Sequence, residues 1–289
     1  MRPGVAAGHP ATADVGAEIL SDGGTAADAV VAMALASCVA ETVYSGLLAG
    51  CHAIVFDGSR VMNLDGFAAV PSSSAELVEL PIPFGEQLVV YSIGPASCAI
   101  PGLPAALGEL WERLGRLPWR RLCEPALDLA RSGVPLPEMH ERSLEMLGDL
   151  YSLERGGELY VRDGRLLHEG DVLDQPGMVE TLEVLAEEGA SSVYRGTLAE
   201  ALVALQGVVI SGDDLTGYRA RWHEPVASDL YGRRAATRGG LSGVPDLLPR
   251  LPRLQGLTQT ERVLALVETF DPVPEGGEHT TNMAAVDGH

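Results

Sequence analysis

The chain has 289 residues, 46% of them hydrophobic, and a formal net charge of −20 with a pI near 4.6. That length suits one large domain or two small ones with a sizeable core, and the acidity argues against a nucleic-acid partner, since phosphate backbones demand neutralisation by Lys or Arg. All 20 basic residues are arginine, which excludes a pyridoxal Schiff base, a phosphate-binding P-loop and a Ser-Lys dyad.

Met1-Arg2-Pro3-Gly4 runs directly into a strand-like Val5-Ala6-Ala7, a start from which no signal peptide is expected. Pro10 to Leu20 has helical spacing and stops at Gly23-Gly24. Thr25 and Asp28 then form a capping box for a second helix whose run Ala29 to Val39 is apolar all round, which predicts burial. Asp28 and Glu41 interrupt the apolar stretch Ala26–Val43, leaving no membrane span. The expectation is a soluble, cytoplasmic protein with no membrane partner.

Cys51–Phe56 and Val61–Leu64 flank Asp57-Gly58, a hairpin signal, and Asp163-Gly164 marks a second hairpin. Leu103–Leu114, Arg120–Arg131, Glu138–Leu150, Gly177–Glu188 and Thr197–Leu205 read as helices. Gly, Pro and Arg dominate Arg234–Gly256, which predicts loop or weak structure. A helix over Thr258–Phe270 precedes the Pro/Gly-rich linker Asp271–Gly277. The four cysteines lack C-x-x-C spacing and stand among apolar neighbours, so buried free thiols are expected. The seven histidines are scattered, and neither a metal nor a cofactor is expected.

Many short blocks recur in one order. They run from Gly8-His9-Pro10 and Gly23-Gly24-Thr25-Ala26-Ala27-Asp28-Ala29 through Ala99-Ile100-Pro101-Gly102 and Gly115-Arg116-Leu117-Pro118-Trp119. Leu129-Ala130-Arg131-Ser132-Gly133, Tyr194-Arg195-Gly196 and Trp222-His223-Glu224-Pro225 continue the order, and Glu278-His279-Thr280-Thr281-Asn282-Met283 closes it. Together these blocks resemble the large subunit of the γ-glutamyltransferase family, over roughly 4–231 and again over 278–287.

The resemblance implies an α/β (α+β) fold of the N-terminal-nucleophile hydrolase type, an αββα sandwich that is incomplete here. It implies self-cleavage between His279 and Thr280, dividing a large-subunit-like region, 1–279, from the start of a catalytic region, 280–289. Thr280 would be the nucleophile, supported by Thr281, in a strand at the centre of one sheet. The chemistry is coherent: a terminal α-amine, with a pKa of about 7.7–8.0, is a base placed beside the hydroxyl it activates. The substrate would be a small-molecule amide. Nine residues follow Thr280 where the family has a whole subunit, so a small catalytic subunit or downstream segment is the expected partner.

Three departures from the family pattern fall where the function is expected, the third of them before the cleavage region. Family members hold the substrate carboxylate with an arginine in a pattern like D-x-R-E-x-A-P. The corresponding stretch is Asp65-Gly66-Phe67-Ala68-Ala69-Val70-Pro71, with Phe67 at the arginine position. A phenyl ring cannot replace a bidentate guanidinium. Arg60, across the hairpin, is a candidate substitute, and a core role for Phe67 is the bland alternative. Ser45-Gly46-Leu47-Leu48-Ala49-Gly50-Cys51 replaces consecutive glycines, and Ala236–Leu247 lacks the family's Pro/Ser-rich segment. The leading reading is a γ-glutamyltransferase-like amidase or acyltransferase. The alternative is a catalytically inert, truncated or separately encoded large subunit acting as a partner chain.

Overall fold

A computed structural model describes residues 2–84, 86–153, 155–205, 207–240, 243–270 and 283–287. The elements begin with β1 (Gly4–Ala6), α1 (Pro10–Ser21), α2 (Ala26–Ala40), β2 (Cys51–Phe56), β3 (Val61–Gly66), β4 (Val78–Phe84) and β5 (Gln87–Ile93). Then come α3 (Leu103–Leu114), α4 (Trp119–Ser132), β6 (Val134–Pro135), α5 (Glu138–Tyr151), α6 (Arg155–Tyr160), β7 (Val161–Arg162), β8 (Arg165–Leu166) and β9 (Val172–Leu173). The remainder is α7 (Met178–Glu188), α8 (Ser192–Arg195), α9 (Thr197–Ala204), α10 (Gly212–Gly217), β10 (Arg221–His223), β11 (Val226–Leu230), β12 (Arg233–Thr237), α11 (Val244–Leu247), α12 (Gln259–Phe270) and β13 (Ala284–Val286). The chain divides into one unit of residues 1–51, 66–219 and 280–289, and a second of 52–65 and 220–279.

The first unit is organised around α2. Its capping box is formed as the sequence predicts, with Thr25 Oγ1 accepting from Asp28 N and Asp28 Oδ2 accepting from Thr25 N at 2.9 Å. Asp28 is fully buried and also accepts from Arg116 N and Leu117 N, tying the α3–α4 connection to the start of α2. Val31, Met33, Leu35 and Val39 are buried on every side of the helix, as its unbroken apolar character predicts. Its neighbours are α1, α3 and α4, and α7 covers α4. Trp119 is buried, its indole N–H donating to Leu185 O at 2.8 Å. A second cluster of Val43, Leu136, Leu144, Tyr160, Leu167 and Leu173 lies under α5 and α6, where the Tyr151 hydroxyl donates to Val43 O at 2.6 Å.

In the second unit β3 lies between β2 and β10, with Trp222 opposite Leu64. Trp222 is half-buried, less than the core position its type suggests. The Asp57-Gly58 hairpin is present: Asp57 Oδ1 accepts from the backbone N–H of Ser59 and Arg60, at 3.0 and 2.9 Å. Those bonds, led by the Arg60 N–H, hold the Asp57 carboxyl well below the usual range.

The structure corrects the expectation for Arg234–Gly256. Arg233–Thr237 pairs with Val226–Leu230 through a tight turn, in which Tyr231 and Gly232 both have positive φ, 57° and 80°. That geometry belongs to a two-residue hairpin turn. A second hairpin, β4–β5, runs through Pro81 and Pro83. Two cysteines, Cys38 and Cys123, are buried as expected, while Cys51 and Cys98 are half-buried. Burial pushes both buried thiols up to about 12, so neither is a nucleophile at neutral pH. Among the described residues no helix is long and apolar enough to cross a membrane.

Candidate active site

Phe67 follows the last residue of β3, and its surroundings in the first unit are set by backbone meeting backbone. A Cβ on Gly50 would stand 2.6 Å from Ala68 N and 3.2 Å from Phe67 Cα. A Cβ on Gly66 would meet Ala106 Cβ at 2.5 Å, and one on Gly102 would overlap the Gly66 carbonyl. Three glycines thus permit a close convergence that any side chain would force apart. Hydrogen bonds then fix it. Gly102 N and Leu103 N donate to Ala49 O at 3.0 and 2.9 Å, and Ala69 and Ile100 exchange bonds of 3.0 and 2.8 Å. The Tyr218 hydroxyl donates to Phe67 O at 2.6 Å, and the Tyr218 ring stacks on Tyr194. The backbone at Phe67 is therefore held on several sides.

The Phe67 side chain is 37% exposed, which removes the reading of Phe67 as an ordinary core residue. Arg60 lies before the other end of β3, its backbone N–H and guanidinium both turned to Asp57, with Nε 3.6 Å from Oδ2. Arg60 belongs to the second unit and Phe67 to the first. Ser45 is bonded to Ser37, Oγ to Oγ at 3.0 Å.

His279, Thr280 and Thr281 lie outside the described residues, as does the boundary between 1–279 and 280–289. The strand they precede is described from Ala284. It pairs antiparallel with β1, Ala285 opposite Val5. Asp287, just past that strand, accepts from Ala26 N at 2.9 Å, so the chain after Thr280 is tied to the N-terminus of α2, where the helix dipole favours a carboxylate.

Two polar constellations escaped the sequence reading. In the first unit, Glu41 is 1% exposed and accepts from the Thr12 hydroxyl at 2.8 Å. His9 caps α1 through Nδ1, which accepts from Ala11 N, and His140 stands edge-on to Tyr44. Burial lowers the pKa of both imidazoles, and the Glu41 carboxylate partly opposes this. Among the described residues His140 Nδ1 has no hydrogen-bond partner. The sequence signal was present: His9 falls in a matched block, and Glu41 is the one acid at the end of an apolar helix.

In the second unit, His52 Nε2 accepts from Arg238 Nη1 at 2.6 Å, while Nδ1 faces Asp65 Oδ1 at 3.5 Å. Burial, followed by the Arg238 charge, lowers the pKa of this imidazole, and the Asp65 carboxylate partly opposes this. Glu141, Glu145 and His168 bring possible metal-ligand atoms within 4.8 Å, and the 2.5 Å hydrogen bond between His168 Nδ1 and Glu141 Oε1 accounts for two of the three.

These features belong to a chain whose fold is shared with N-terminal-nucleophile enzymes of known structure. A γ-glutamyltranspeptidase from Pseudomonas nitroreducens, complexed with L-DON, superposes with a TM-score of 0.74 at 28% identity, covering 86% of this chain and 75% of that one. The model of the family "Gamma-glutamyltranspeptidase" matches residues 12–269, and the chain belongs to that family. Glutathione hydrolase 3 of Arabidopsis thaliana is 32% identical over 79% of this chain and 36% of its own length. An acylase ACY 1 proenzyme from Pseudomonas sp. strain SE83 is 30% identical over 92% of this chain and 48% of its own. The chain thus spans less than half of either relative.

Proposed function

We propose that this chain is the large-subunit part, with the first residues of the small subunit, of a self-processing N-terminal-threonine amidase or acyltransferase of the γ-glutamyltransferase and glutathione hydrolase type. The observation that supports the reading is the family match over 12–269, with His279-Thr280-Thr281 following ten residues further along the sequence. Thr280 Oγ attacks the carbonyl of His279, and the peptide bond gives way to an ester. Water hydrolyses the ester, leaving a His279 carboxylate and a Thr280 with a free α-amine. In turnover that amine takes the Thr280 proton as Oγ attacks the amide. It returns the proton to the leaving amine, and the acyl ester then passes to water or to an acceptor amine. The missing catalytic groups come from a small subunit or downstream segment.

Phe67 directs this activity away from free-carboxylate γ-glutamyl donors and toward amides of other acyl groups. The similarity to an acylase proenzyme supports that direction. In an assembly that includes a small-subunit segment, Thr280→Ala removes turnover and Thr280→Ser preserves part of it. Phe67→Arg lowers KM for a γ-glutamyl anilide by about tenfold or more, the value of a charged hydrogen bond. An unchanged KM would show that Phe67 is not at the acyl-donor pocket. Full turnover by Thr280→Ala would remove the threonine mechanism altogether, and an assembly inert with Thr280 intact would favour a purely structural partner chain.

A further inference from the structure

We propose that the second unit carries a binding site for a small amphipathic carboxylate, with its head group on Arg233 and Arg253 and its apolar body on Leu251, Leu254 and Leu266. The local charge runs against that of the chain. Residues 220–253 hold six arginines against Glu224, Asp229 and Asp246, in a protein of net charge −20. Most arginines elsewhere have assigned partners: Arg121 meets Glu18 and Asp22, Arg131 meets Glu183, and Arg165 meets Asp171. Within the positive segment Arg238 is bonded to His52, and Arg250 donates to Thr269 O. Arg233 and Arg253 stand apart from these. Among the described residues neither has a carboxylate partner, and both line a surface cavity of about 510 Å³.

The cavity walls are positioned. Tyr231 sits in the positive-φ turn between β11 and β12, and its hydroxyl donates to Leu251 O at 2.5 Å, joining the hairpin end to the 251–254 segment. The Arg253 guanidinium lies over the Tyr231 ring, 5.4 Å from its centroid, an attraction that holds the cation without consuming its N–H donors. Leu266 of α12 also lines the cavity. Guanidinium groups favour carboxylates through forked hydrogen bonds, and the volume falls in the ordinary range for small-molecule sites, about 300–1,000 Å³. The leucine wall gives the preference for a carboxylate with an alkyl or aryl body over an inorganic anion. The inference is independent of Thr280.

Calorimetric titration of the full chain with octanoate, octanol and inorganic phosphate tests this. Octanoate should saturate one site, and octanol, which lacks the charge, should bind at least about tenfold more weakly. The double variant Arg233→Gln/Arg253→Gln should weaken octanoate by about tenfold or more and leave octanol unchanged, with the same melting temperature as the parent. Should the double variant unfold, the single Arg253→Lys variant carries the test: it keeps the charge, loses the fork, and should weaken octanoate measurably. Equal binding of octanoate and octanol would overturn the proposal, as would a folded double variant with unchanged octanoate affinity. Phosphate binding as tightly as octanoate would identify an inorganic-anion site and overturn the amphipathic class.

Discussion

The surroundings of α2 and those of α12 handle apolar surface in opposite ways. Around α2 the chain covers its own helix: Val31, Met33 and Leu35 have no exposure, and the buried Asp28 is satisfied by backbone N–H groups. On α12, Val263, Leu264, Val267 and Phe270 are 46–57% exposed and lie along one side of the helix, at spacings of one, four and seven residues. Regular structure alone therefore does not measure stability in this protein. The first helix is held by tertiary contacts on all faces, whereas the second depends more on its own propensity.

The largest contrast should come from Asp28→Ala. It strands the N–H groups of Thr25, Arg116 and Leu117 at a part-buried junction, and should cost about 2–3 kcal/mol. Chemical denaturation should register this as a lower midpoint. A loss below about 1 kcal/mol would mean that water reaches this junction.

A smaller effect should appear with acid. Burial lowers His9 and His140 from the ordinary 6.5, so as pH falls the unfolded chain takes up protons first. Their contribution is intact above about 6.5 and is lost as pH falls through it. The melting temperature should drop between about pH 7 and about pH 5, and His140→Gln should flatten the slope. A slope unchanged by that substitution would place the titration elsewhere. The smallest effect belongs to Val267→Ser on α12, expected within about 0.5 kcal/mol because the side chain is already in solvent. A larger loss would show that the α12 stripe is covered in solution.

Where local chemistry dictated structure, the sequence was readable. The Thr25–Asp28 box, the apolar run of α2 and the Asp57-Gly58 turn each require little more than their own residues. The hairpins that escaped notice had misleading signals. Pro81 and Pro83 argue against a strand, yet β4 has an unpaired edge among the described residues, where a missing N–H costs little. Tyr231 occupies a turn position usually held by Asn or Gly, so the β11–β12 turn carried no recognisable dipeptide. Around Phe67 the sequence did not disclose the convergence of Gly50, Gly66 and Gly102, because residues far apart in the chain create that approach. For the Glu41 cluster the sequence showed single residues, His9 and Glu41, but not their grouping, whose members come from α1, the end of α2 and α5.

The proposed role of Thr280 is tested most directly by intact-mass and N-terminal analysis of the chain co-expressed with a family small-subunit segment. A new N-terminus at Thr280, with a partner fragment ending at His279, is the predicted result, and Thr280→Ala should leave the junction uncut. Processing at the same bond in Thr280→Ala, or a wild-type junction that stays intact in a folded assembly, would contradict the account.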